Sequence, residues 1–171
     1  AGKEITVGDN KIIVEEARAE VFEGLDFAVF SASSTLSQQL APEAAARGCV
    51  VIDNSSAFRM DQEVPLIVPE INPDTAVEHR GIIANPNCST IVALMAVAPL
   101  HRAFGLKRFI ASTYQAVSGT GAAAMVELEN QVRAYVNGGK ANCEIYPHHI
   151  AFNLLPHVSE FLESGYTSEE L

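Results

Sequence analysis

The sequence predicts an α/β fold built on a parallel sheet, from three observations. A short apolar run, Asp26 to Phe30, leads through a helical pattern into a second apolar run, Cys49 to Asp53. Such a strand–helix–strand unit pairs its strands in parallel through a right-handed crossover. Both runs leave through polar loops, and the carboxyl ends of open α/β sheets are where ligands bind. A third run, Gly81-Ile82-Ile83-Ala84, turns through Asn85-Pro86-Asn87-Cys88 into a long helical pattern.

Each element follows in order. Ile5-Thr6-Val7 and Lys11-Ile12-Ile13-Val14 flank Gly8-Asp9-Asn10 and read as a β-hairpin. Asp26 to Phe30 reads as a buried strand. A helix is expected from about Thr35 to Arg47, stopped by Gly48 and kinked or restarted at Pro42. Cys49 to Asp53 is the next buried strand, and Leu66-Ile67-Val68 and Ile82-Ile83-Ala84 are further short ones. The helix from Ser89 to Phe104 carries Ile91, Leu94, Met95, Val97 and Leu100 around much of its circumference, which predicts burial. Lys107 to Tyr114 reads as a strand, Gln115 to Gly121 as a loop, Ala122 to Val136 as a helix and Ile150 to Leu155 as a last strand. The seam between two domains is expected just after Cys88, giving segments 1–88 and 89–171.

Bulk properties narrow the function classes. The chain has 171 residues, 48% of them hydrophobic and 19% charged, so a packed core is expected. A net charge of −10 with no basic cluster argues against nucleic acid or an anionic membrane as partner. No apolar stretch approaches the roughly 20 residues of a membrane span. Cysteines 49, 88 and 143 are too widely spaced for a disulfide framework or a zinc site, which fits a reducing, cytoplasmic setting. Ala1-Gly2-Lys3 enters a strand pattern at once, and Thr167 to Leu171 reads as a helix start, so an excerpt of a longer chain is expected.

Cys88 is the sharpest candidate for chemistry. It sits at a strand-to-helix corner, where the free N–H groups of the helix start point at its sulfur and favour negative charge. A thiolate there is a nucleophile with an oxyanion site beside it, whereas a structural cysteine would simply be buried. Arg59, after Asn54-Ser55-Ser56-Ala57-Phe58, is either an anion fork or a solvated surface residue. Gln115 either orients a carbonyl or closes its turn. Ser118-Gly119-Thr120-Gly121 is either a backbone-approach loop or a plain turn. His148, His149 and His157 lack metal-ligand spacing, so no metal is expected. Glu127, Glu129 and Glu160 read as solvation of exposed faces.

Three segments carry a resemblance. Val50 to Met60, Asn85-Pro86-Asn87-Cys88-Ser89-Thr90 and Ser112 to Gly119 resemble the bacterial aspartate-semialdehyde dehydrogenases, in order and in register along the whole chain. The resemblance implies part of a Rossmann-type cofactor domain followed by the start of an α+β catalytic and dimerisation domain. It implies NADPH-dependent reductive dephosphorylation of L-aspartyl-4-phosphate to L-aspartate 4-semialdehyde. That step feeds lysine, threonine, methionine and diaminopimelate biosynthesis, and the family forms homodimers or homotetramers. By the same resemblance Cys88 is the thioester-forming nucleophile, and Gln115, Asn87 and Arg59 bind substrate, with Arg59 on the phosphate. Ser118 and Gly119 face the nicotinamide, and Asn54, Ala32 and Ser33 face the cofactor, NADP. Ser33-Ser34 and Thr120 depart from the family's usual Gly-Gly and Ala. The family's glycine-rich phosphate loop is expected before Ala1, and its catalytic histidine, substrate-carboxylate arginine and second phosphate-binding residue after Leu171, so little or no turnover is expected of this chain alone.

Two other readings stand beside it. N-acetyl-glutamyl-phosphate reductases share the cysteine logic but usually carry Gly where this chain has Asn87. A non-catalytic binding or assembly module would keep the fold and leave Cys88 inert.

Overall fold

A computed structural model describes residues 1–157 and 159–167. The chain divides into two compact units, Ala1–Ile110 and Ala111–Leu171.

The first unit opens with the hairpin. Strands β1 (Glu4–Val7) and β2 (Asn10–Ile13) pair antiparallel across a turn holding Gly8 at φ +60°. A three-stranded parallel sheet follows, in the order β3 (Phe27–Phe30), β4 (Val50–Asp53), β5 (Ile82–Ala84). Helix α1 (Ser34–Ala46) makes the crossover from β3 to β4 and runs on through Pro42, so the helix does not restart there. Gly48, at φ +85°, turns the chain out of α1 so that the Gly48 and Cys49 N–H groups donate back to Ala45 and Ala44.

Register divides the sheet into two faces. Ala28, Val51 and Ile82 lie side by side, as do Phe30, Asp53 and Ala84, and this face holds the core with Phe22, Ala41, Ala44 and Cys49. Close approach of α1 requires Gly81: a Cβ there would lie 2.7 Å from the Ala45 Cβ. The opposite face carries Phe27 and Val29, 67% and 72% exposed, so β3 is not the buried strand expected. A strand's burial depends on what covers it, and among the described residues nothing covers that face of β3. The expected strand at 66–68 reduces to one parallel bridge, Leu66 to Ala84, although Ile67 and Val68 are buried.

Helix α2 (Cys88–Phe104) is capped at its end by Gly105 at φ +71°. It has no buried residue, contrary to expectation, and Val92, Leu100 and Phe104 stand more than half exposed. One stripe, Ile91, Leu94, Val97 and Ala98, is half-buried, and most of the rest of its apolar circumference is exposed.

The second unit contains helix α3 (Ala122–Val136), preceded by a 3₁₀ turn, Val117–Thr120. No strand forms at 107–114, where every residue is exposed and the backbone pairs with no neighbour among the described residues. Nor does one form at 150–155, where Phe152 takes φ +57°, outside the extended region. Most of the helix start expected at Thr167–Leu171 lies outside the described residues.

Candidate active site at the carboxyl ends of the parallel strands

The loops that leave β3, β4 and β5 are joined to one another by side chains. Ser34 and Ser56 share a hydroxyl hydrogen bond of 2.9 Å between the β3 and β4 loops. Asp53, at the end of β4, accepts from Ser37 of α1 and from the N–H and hydroxyl of Ser55. Arg59 then spans from the β4 loop to the β5 loop: its Nε donates to the Asn85 carbonyl at 2.9 Å and its Nη2 to the Asn54 carbonyl at 3.2 Å.

Cys88 is exposed and is the first residue of α2, so the corner geometry is as the sequence predicts. The other two cysteines differ in setting. Cys143 is exposed in the second unit. Cys49 is fully buried, and burial, aided by the Asp26 charge, pushes its thiol up.

The helix start is not as open as the sequence suggests. Asn87 is the N-cap, and its Oδ1 accepts from the N–H of Ser89 at 2.8 Å and of Thr90 at 3.4 Å. The Ile91 N–H is taken by the Asn87 carbonyl. Only the N–H of Cys88 itself, among the first helical residues, has no partner among the described residues. An oxyanion forming on a carbonyl attacked by Cys88 would find that N–H as its backbone donor, beneath the positive end of the helix dipole. The side-chain oxygen of Asn87 is thus committed to the cap.

Arg59 is half-buried, which removes the solvated-surface alternative. Its Nε and Nη2 edge is occupied by two carbonyls, while Nη1 makes no hydrogen bond among the described residues. An anion would therefore meet the end of the guanidinium that includes Nη1.

The same strand ends suit a dinucleotide. Ala32 and Ser33 are exposed where β3 passes into α1, and the Ser33 hydroxyl caps α1 by accepting from Leu36 N–H. Asn54 is exposed at the neighbouring strand end, its N–H fixed by the Phe30 carbonyl. Adjacent parallel strand ends with a helix N-terminus between them fit such a group.

The remaining candidates belong to the second unit. Gln115 is exposed, and its side-chain oxygen accepts from the Thr113 hydroxyl at 3.0 Å. Ser118 and Gly119 are exposed in the 3₁₀ turn before α3. His148 and His149 are exposed, and His157 stacks on Phe161 with ring centroids 4.7 Å apart. Among the described residues no three His, Cys, Asp or Glu side chains gather in one place.

Glu127 corrects the sequence reading outright. It is 7% exposed, not solvent-facing. Its carboxylate accepts from the N–H groups of Glu144 and Ile145 and from the Gln131 amide. Burial opposes its ionisation, but the N–H groups of Ile145, Glu144 and Tyr146 and the Gln131 amide outweigh that and hold the carboxyl below its ordinary value. Gln131 in turn accepts from Ile150 and Ala151 N–H. Asp53, Ser55 and Gln131 were likewise not legible as anchors, although Asp53 two residues before Ser55 is a local Asx-type signal.

Comparison with known proteins agrees with this architecture. Residues 1–79 match the family model described as semialdehyde dehydrogenase, NAD binding domain, and residues 97–171 match semialdehyde dehydrogenase, dimerisation domain. A parallel sheet with its nucleophile candidate at a strand-to-helix corner, continuing into that second domain, is the class of protein these segments define. Over its full length the chain is 49% identical to aspartate-semialdehyde dehydrogenase of Bacillus subtilis (strain 168). It is also 49% identical, over 99% of its length, to that of Aquifex aeolicus (strain VF5). The crystal structure of aspartate semialdehyde dehydrogenase II from Vibrio cholerae, complexed with ASA, superposes on 99% of the chain with a TM-score of 0.93 at 42% identity. The chain belongs to the aspartate-semialdehyde dehydrogenase family. It spans about half the length of these relatives, 51% in each case.

Proposed function

We propose that the chain carries the nucleophile-bearing part of an enzyme that reduces L-aspartyl-4-phosphate to L-aspartate 4-semialdehyde. The observation that carries the reading is the exposed Cys88 at the start of α2, three residues after Asn85, whose carbonyl holds an Arg59 with its outer edge open to an anion. In this reading the Cys88 thiolate attacks the acyl carbon, the carbon–oxygen bond to phosphate breaks, and inorganic phosphate leaves with the electron pair. A thioester remains on Cys88. The Cys88 N–H stabilises the oxyanion that forms during attack. Arg59 holds the phosphate before and after it departs.

A bound reduced nicotinamide cofactor supplies the hydride that takes the thioester to the aldehyde level. Collapse of the adduct then frees the aldehyde and restores the thiolate. Ala32, Ser33 and Asn54 would hold the cofactor in the first unit, and Ser118 and Gly119 would approach its nicotinamide, with Gln115 and Asn87 on the substrate side. Ala1-Gly2-Lys3 resembles the end of a 2′-phosphate-reading segment, which favours NADP over NAD. The parent enzyme would act in the cytoplasm as a homodimer or homotetramer, in aspartate-family amino-acid biosynthesis, with its catalytic base and carboxylate-binding arginine outside this chain.

Cys88→Ser in the enzyme of family length that carries this chain tests the nucleophile. Turnover is expected to fall about 10³-fold or more, as when a covalent nucleophile is removed. Cys143→Ser, also an exposed thiol but away from any helix start, is expected to stay within about twofold, the range of a surface substitution. Near-normal turnover in Cys88→Ser overturns the reading.

A further inference from the structure

Asp53 is 0% exposed at the end of β4, and the mechanism above makes no use of it. A carboxylate removed from water is costly unless its oxygens are occupied. Here they are: Oδ1 accepts from Ser37 Oγ at 2.8 Å and Ser55 N–H at 3.2 Å, and Oδ2 accepts from Ser55 Oγ at 2.7 Å. The Ser55 hydroxyl oxygen then accepts from Ala57 N–H at 3.1 Å. Asp53 thus shapes Ser55, and Ser55 shapes the backbone two residues before Arg59.

The next link reaches the cysteine corner. Asn85 N–H donates to the Asp53 carbonyl at 2.8 Å, and the Asn85 carbonyl accepts from Arg59 Nε at 2.9 Å. Both backbone groups of Asn85 are therefore held by the segment 53–59, three residues before Cys88. We propose that Asp53 and Ser55 are positioning residues: they set the 54–59 loop so that Arg59 reaches Asn85, which aims the open edge of Arg59 and steadies the backbone that carries Cys88. The inference rests on the proposed function for its phosphate, but the mechanical link from Ser55 to Asn85 can be measured without it.

Two substitutions separate positioning from plain stability. Ser55→Ala and Ser37→Ala each delete one hydroxyl bond to the same carboxylate, but Ser37 lies on α1 and, among the described residues, makes no hydrogen bond to the loop backbone. Both are expected to lower the melting temperature of the family-length enzyme by similar amounts. Only Ser55→Ala is expected to raise the KM for inorganic phosphate in the reverse reaction, by about 3- to 10-fold, the worth of one ordinary hydrogen bond. The KM for the aldehyde should stay within about twofold, because a merely destabilised enzyme has no reason to lose one substrate and keep the other. Amide exchange at Asn85 should also quicken in Ser55→Ala more than in Ser37→Ala. An equal rise in phosphate KM in both variants, or in neither, overturns the proposal. If the unsubstituted enzyme shows no phosphate-dependent turnover, the functional reading fails by itself. Exchange at Asn85 then decides: faster exchange in Ser55→Ala alone upholds the link, and equal rates remove it.

Discussion

Asp53 in the first unit and Glu127 in the second are both buried carboxylates that shape a loop, yet they reach their partners by different routes. Asp53 gathers the loop residue Ser55, two positions on, and the loop then bears on a candidate site. Glu127 gathers the N–H groups of Glu144 and Ile145, 17 and 18 positions on, with no strand between them. In the first unit the strands are joined by a backbone ladder, and Asp53 stands at its end. In the second, side chains of one helix supply the acceptors that a neighbouring strand would otherwise supply. Anchoring by a side chain concentrates on one residue what a ladder spreads over many.

That contrast is broken most forcibly by Glu127→Ala. The change leaves the Glu144 and Ile145 N–H groups without their acceptor, and the Gln131 amide with only its longer bond to the Asn142 carbonyl. A loss of about 1–3 kcal/mol is expected in the second unit, the range of losing hydrogen bonds to a charged group, because water can reach the released N–H groups of the exposed Glu144 and Ile145. Hydrogen exchange should report it at Glu144 and Ile145, with β4 amides unaffected. Uniform exchange throughout the second unit of the unsubstituted chain would show that Glu127 anchors nothing.

Acid sharpens the same point with a smaller effect. The Glu127 carboxyl is held below its ordinary value when folded, so its contribution is fully present above the unfolded carboxylate range, about pH 4 to 5. It fades as pH falls through the lower folded value. Exchange at Glu144 and Ile145 should therefore accelerate on acidification below about pH 4, beyond the intrinsic pH dependence of exchange. Glu127→Gln should show no such added step. A step of the same size in the Gln variant would assign the titration to another group.

How much of this was legible in the sequence follows from how far each interaction reaches. The parallel unit, the hairpin, α1, α3 and the Cys88 corner were legible because apolar runs and turn residues lie next to one another in the chain. The strands expected at 107–114 and 150–155 carry strand-like residues, but a strand needs a neighbour, and Phe152 adopts a left-handed φ. The apolar circumference of α2 foretold burial, which a helix cannot supply to itself. At the site, Asn87 before a helix was a readable cap, yet its cap role was overshadowed by its place in the cysteine motif. The charge of Arg59 was legible, whereas its grip on the Asn54 and Asn85 carbonyls joins loops 26 residues apart and was not.

The smallest effect comes from a carboxylate two residues along the same helix. Glu129 faces solvent and pairs with Arg133 one turn on, both side chains well exposed. An exposed pair at this spacing is worth roughly 0.3–0.5 kcal/mol, because water screens the attraction and both long side chains lose freedom in making it. Glu129→Ala should therefore leave exchange at Glu144 and Ile145 unchanged and shift the unfolding midpoint barely beyond error. Added salt should erase even that difference, which it cannot do to the loss expected from Glu127→Ala. If the two substitutions cost the same, the protection of the 142–151 segment comes from the stability of α3 as a whole and not from the buried carboxylate on its inner face.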